Sequence, residues 1–184
     1  MKRIMEESLL RWTWNGREQE PFLCSGGDAE ALLRGFLATM GGVDAARIRN
    51  VVRDGEIWLV ETEGGPNPRA GLEERLERTA PVSSDFRIGT EELEKLCNLA
   101  TERDPRYTGL HTVVISDGVK TVTGRDVERQ NALDKAVGKA LQAGMDLSRT
   151  ALDEFARIPE YKVCAVRLEK IAEDGGEKSE NQER

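Results

Sequence analysis

The chain has 184 residues, 33% of them charged and 38% hydrophobic, with a formal net charge of −7 and one histidine. That size and composition fit one sizeable soluble domain or two small lobes sharing a core. No run of roughly 18 apolar residues exists to span a membrane, and the acidic balance argues against a nucleic-acid surface, which needs clustered Lys and Arg.

The start, MKRIMEESLL, has no apolar stretch of the kind a secretory signal carries. Ser8 to Trp14 and the run after Asn15-Gly16 are strand-like, so a hairpin is expected there. In SGGDAEALLRGFLATMGG, Ser25 and Asp28 have the spacing of a capping box. Leu32, Leu33, Phe36, Leu37 and Met40 then recur at helical spacing up to Gly41-Gly42. IRNVVRDGEIWLVETE predicts a second hairpin turning at Asp54-Gly55, so the first part of the chain is expected as β-β-α-β-β.

A loop and a charged segment follow, with a lobe boundary expected near residue 80. TEELEKLCNLATERD predicts an amphipathic helix capped by Thr90, with Leu93, Leu96, Cys97 and Ala100 facing inward. HTVVIS and VKTVT predict a third hairpin around Asp117-Gly118, followed by a long helix to about Gly144. LSRTALDEFARI is expected as a shorter helix and YKVCAVRLEK as a last strand. The polar tail 173–184 has no apolar anchor and is expected to be disordered.

Chemistry narrows quickly. Cys24, Cys97 and Cys164 form no C-x-x-C pair, which excludes a local zinc ribbon or dithiol and points to a reducing cytoplasm. His111 alone cannot build a multi-histidine metal site. It is followed by Thr and Val, and the chain has no P-C-x-x-C, so zinc deaminase chemistry is excluded. Cys24 ends a strand before a helix start, a location that can lower a thiol pKa.

The stretch VTGRDVERQNALDKAVG, Val122 to Gly138, concentrates polar residues on an apolar-backed helix. Ala132, Leu133, Ala136, Val137, Ala140 and Leu141 share one face. Asn131, Asp134, Lys135 and Gly138 fall on the other. Composition alone makes this a solvated face. The alternative is an anion site, because the helix start offers free N–H groups beside Arg125 and Arg129.

Three segments resemble the formate dehydrogenase accessory proteins, the FdhD-type sulfurtransferases. NGREQEPFLCSGGDAEALLRGFLATMGGVDAARIR is similar to that family's first hairpin, cysteine-containing turn and helix. YTGLHTVVISDG is similar to its Thr-Gly-Gly-x-His segment, and RDVERQNALDKAVGKALQAGMDLS to its Asp-Val-Gly-Arg-His-Asn-Ala-x-Asp-Lys signature. The resemblance implies an α/β, two-lobed α+β fold: an N-terminal lobe at 1–80 joined to a truncated cytidine-deaminase-like lobe at 81–172.

It also implies an accessory role in which a molybdenum bis-guanine-dinucleotide cofactor, or a GDP-like ligand, sits against Thr108, Gly109, His111, Asp126, Val127, Arg129, Asn131, Asp134 and Lys135. The implied partner is formate dehydrogenase or another molybdenum enzyme, with a homodimer left open. The family takes sulfur from a cysteine desulfurase on a C-x-x-C loop. The matching place here is SSDFRIG, without cysteine, so no catalytic residue is assigned and the desulfurase is doubtful as a partner. Glu128 and Gln130 replace the family's Gly and His. The alternatives are a sulfurtransferase using an unusual thiol such as Cys24, and an interaction module that has lost the ligand site.

Overall fold

The computed structural model describes residues 3–41, 43, 45–64, 89–102, 107–145, 155–158 and 161–165. The elements run β1 (Arg3–Ile4), β2 (Glu7–Trp14), β3 (Arg17–Glu18), β4 (Phe22–Ser25), α1 (Ala29–Thr39), β5 (Ile48–Asp54) and β6 (Ile57–Thr62). Then come α2 (Thr90–Thr101), β7 (Tyr107–Thr108), β8 (His111–Ser116), β9 (Thr121–Asp126), α3 (Arg129–Gln142), β10 (Phe155–Ile158) and β11 (Tyr161–Ala165).

The first sheet is organised on β2. Asn15 and Gly16 both take positive φ, 48° and 77°, the backbone a tight hairpin turn requires. The chain therefore returns along β2, first as β3 and, beyond Pro21, as β4. On its other side β2 pairs in parallel with β6, which pairs antiparallel with β5. Alternation turns Leu10, Trp12 and Trp14 to one face, where they are buried with Val51 and Val60. Leu32, Leu33 and Leu37 of α1 pack onto that face. Trp12 stacks on Trp14 and Phe22, and Phe36 meets Trp12 and Phe22 edge-on. Both deeply buried indoles are satisfied: Trp12 donates to the Glu20 carbonyl at 2.9 Å and Trp14 to Thr62 Oγ1 at 2.8 Å.

The opposite side of α1 packs on α3 at very short range. A methyl group at Gly35 would strike the backbone carbonyl of Asp134, and one at Gly138 would strike that of Ala31. The two glycines, one on each helix, let the backbones touch. Beneath α3 lies the β8–β9 hairpin, where Gly124 meets the Ala132 carbonyl in the same way. Ile115, Ala136, Val137, Ala140 and Met145 form a second core there. The order of layers is therefore sheet, α1, α3, hairpin.

Most local expectations hold, and the exceptions are informative. The β5–β6 turn uses Gly55 and Glu56, because Asp54 still pairs with Ile57. No capping box forms: Ser25 belongs to β4, and Asp28 occupies the N-cap in a left-handed conformation without a side-chain cap bond. Its carboxylate reaches Lys139 of α3 instead, at 2.7 Å. Gly89, not Thr90, is the N-cap residue of α2, whose Cys97 is buried as expected. The helix expected through Phe155–Ile158 is a strand paired with β11; inter-strand pairing overrides a helix-like spacing. The expected lobe boundary near residue 80 and the tail 173–184 lie outside the described residues.

Candidate functional site

The junction of β9 and α3 carries most of the residues singled out above, and the structure sorts them into two groups. In the buried group, Asp126 is 0% exposed and Lys135 is 1% exposed. Their side chains pair at 2.7 Å. Lys135 also donates to the Ser25 carbonyl at 2.6 Å, and Asn131 donates to the Leu23 carbonyl at 2.8 Å. The Ser25 and Glu128 amides donate to the Asp126 carboxylate, and the Val127 amide donates to Ser25 Oγ at 3.2 Å.

These bonds share a logic. β4 pairs with β2 along one edge only. Its other edge presents the Leu23 carbonyl and the amide and carbonyl of Ser25, buried backbone groups that need partners. Asn131, Asp126 and Lys135 supply them, standing where another strand would lie. A buried ion pair is tolerable only when its remaining hydrogen-bonding capacity is met in this way.

Asp134 is also fully buried, with a different outcome. Oδ1 receives Thr39 Oγ1 at 2.7 Å and Gln130 Nε2 at 3.0 Å. Oδ2 is buried without a hydrogen-bond partner. Burial pushes its carboxyl up to about 6, against the opposing effect of the Thr39 and Gln130 bonds. The sequence had placed Asn131, Asp134, Lys135 and Gly138 on the polar side of the helix. All four are buried, because α1 and β4 cover that side.

The exposed group is Thr108, Gly109, His111 and Arg129. Gly109 turns with φ 82° between β7 and β8. His111 opens β8 and lies directly across from Asp126 on β9. Arg129 is the first residue of α3, and Glu128, at the N-cap, makes no side-chain bond to the first turn. Val127 is half-buried between the two groups.

The sequence pattern of the FdhD/NarQ family matches residues 5–159. The chain belongs to the FdhD/NarQ family. No curated protein shows significant similarity to it. Among solved structures it is similar to a crystal structure assigned as a formate dehydrogenase accessory protein from Desulfotalea psychrophila, with 22% identity and a TM-score of 0.65. The match covers 82% of this chain and 64% of that one. At that identity the likeness concerns the fold, which is mixed α/β in both.

Within this FdhD/NarQ chain, the thiols bear on sulfur chemistry. Cys24 is 3% exposed, and its pKa is raised, chiefly by burial and against the pull of Lys135. Its location before a helix start does not activate it, because the thiol is packed against the sheet core. A cavity of about 500 Å³ is lined by Cys24 together with Gly26, Gly27, Arg53, Trp58 and Gln142 among others, and neither His111 nor Arg129 lines it. SSDFRIG lies almost wholly outside the described residues. Among the described residues no group of three His, Cys, Asp or Glu is placed to hold a metal ion, and no helix is long and apolar enough to cross a membrane.

Sequence reasoning missed the partners rather than the motif. Ser25, Thr39 and Gln130 complete the buried bonds. The sequence offered Ser25 as a helix cap and Gln130 as a replacement within the signature, and Thr39 only as a polar residue on a core-packing helix.

Proposed function

We propose that this FdhD/NarQ chain is an accessory protein for formate dehydrogenase or another molybdenum enzyme. In this reading it binds a guanine nucleotide, free or as part of a molybdenum guanine-dinucleotide cofactor, without carrying sulfur on a C-x-x-C loop. The observation that carries it is the division of the motif. His111, Arg129 and the uncapped first turn of α3 lie exposed at one junction, while Asp126, Asn131 and Lys135 brace that junction from beneath.

The exposed group suits a diphosphate. Arg129 offers a fork of donors, and a helix N-terminus favours negative charge. Glu128 works against it, so the affinity expected is modest. The buried residues cannot also contact ligand without giving up bonds inside the protein; their role here is to hold β9 and α3 in register. When bound, the cofactor would bring the molybdenum centre, and this chain's contribution is to grip its nucleotide end. The buried Cys24 disfavours the sulfurtransferase alternative, because thiol attack needs an accessible thiolate.

Calorimetric titration with GDP tests the reading, using the wild type, Arg129→Ala and His111→Ala. Heat of binding that both substitutions diminish is the expected result. Absence of heat and of thermal stabilisation at about millimolar GDP would overturn it and favour the interaction module.

A further inference from the structure

The bonds around Asp134 carry an inference independent of nucleotide binding. Thr39 has one hydroxyl hydrogen. Three acceptors lie within its reach: the Gly35 carbonyl at 3.0 Å, the Phe36 carbonyl at 3.4 Å and Asp134 Oδ1 at 2.7 Å. The shortest contact is to Asp134, and the hydroxyl donates there. Asp134 Oδ1 thus receives one hydroxyl hydrogen from Thr39 and one amide hydrogen from Gln130.

Asp134 Oδ2, buried beside it, receives no hydrogen bond. An unpartnered buried oxygen is costly on an anion and much less costly as the carbonyl of a neutral acid.

The charged groups on the surrounding elements are engaged elsewhere. Glu30 and Arg34 of α1 pair with each other, and Lys135 of α3 with Asp126 of β9. Lys139 pairs with Asp28, and Arg125 of β9 with Glu102. His111 of β8 and Arg129 at the start of α3 are exposed. Burial, Thr39 and Gln130 alone set the behaviour of Asp134, with no charged neighbour among the causes.

We propose that the α1–α3 seam is a proton-responsive joint, closed while Asp134 is a neutral acid and loosened when Asp134 ionises. The location gives the proton leverage. Gly35 sits against the Asp134 backbone, so the carboxyl lies where the two helices are closest. An uncompensated anion there is relieved by admitting water, which requires the helices to part. Gln130, one turn before Asp134 and bonded to it, is exposed beside Arg129. Opening of the seam therefore reaches the surface at the first turn of α3.

The test is a carbon-13 NMR titration of the Asp134 carboxyl in the full chain, with amide hydrogen exchange of α1 followed across the same pH range. The expected midpoint is near 6, as burial dictates, with exchange at the C-terminal half of α1 quickening as the carboxyl ionises. Asp134→Asn, which cannot ionise, should keep the slow exchange at every pH. A midpoint in the ordinary carboxylate range of about 4 would overturn the proposal. So would α1 exchange, corrected for its intrinsic pH dependence, that is the same on both sides of the midpoint. The wild-type titration stands even where the variant folds poorly.

Discussion

Two carboxylates eight residues apart, Asp126 and Asp134, are both fully buried, and they show what burial demands of a charge. Asp126 meets an ammonium group and two backbone amides. Asp134 meets one hydroxyl and one amide and leaves an oxygen bare. The first is a fixed ionic strut between β9 and α3. The second is held charged only against the cost of desolvation. Burial alone does not separate a structural carboxylate from a responsive one; the number of donors converging on it does.

Removing the strut should have the largest effect. Lys135→Met leaves Asp126 buried without its cation, and we predict a loss of about 3–5 kcal/mol, measured by urea denaturation. If Asp126 is replaced as well, by Asn, much of that loss should return. An unchanged midpoint in the single variant would erase the distinction between the two carboxylates.

Next comes the helix contact that both depend on. Gly138→Ala places a methyl group on the Ala31 carbonyl. The helices must separate, at about 2–3 kcal/mol, and thermal unfolding should shift down accordingly.

Asp134→Asn should act in the opposite direction. The folded-state value of about 6 lies above the ordinary 3.8, so the folded protein holds its proton more tightly than the unfolded chain. Stability from this group falls as pH rises between those two values and stays low above the upper one. Asp134→Asn should therefore stabilise the protein at neutral pH by on the order of 2 kcal/mol. The gain should shrink as pH falls through the window and vanish by about pH 3. Denaturation at the two pH values checks both sign and window.

The smallest effect on folding is expected at the rim. Arg129→Ala should change stability by no more than about 0.5 kcal/mol while weakening GDP binding, which separates exposed from buried members of the same motif.

Much of the fold was legible in the sequence because its signals are local. Asn15-Gly16 and Asp117-Gly118 mark hairpins by backbone preference alone. In the latter turn, Asp117 Oδ1 accepts from the Val119 and Lys120 amides, which holds its carboxyl below its ordinary value. The spacing of Leu32, Leu33 and Leu37 reported a buried face directly. The motif was legible as a cluster, but its orientation was not. Asn131 and Lys135 look solvated because side-chain polarity is visible in a sequence while orphaned backbone groups are not. The carbonyls they satisfy belong to Leu23 and Ser25, more than a hundred residues earlier in the chain. Only the fold shows that β4 has an edge in need of donors. Gly138 was ambiguous for the same reason: a missing side chain signals close approach without naming what approaches.

The three tryptophans, Trp12, Trp14 and Trp58, all lie in the first sheet, and none is found beyond residue 58. Intrinsic fluorescence of this protein is consequently a one-sided probe. It follows the sheet packed against α1 and is blind to α3 and the β8–β9 hairpin, whereas far-ultraviolet circular dichroism weighs all the helices and strands. Coincident melting by the two signals would mean that the polar clamp on β4 makes the layers one cooperative unit. A fluorescence transition that outlasts the dichroism would mean that the sheet stands alone once the clamp releases.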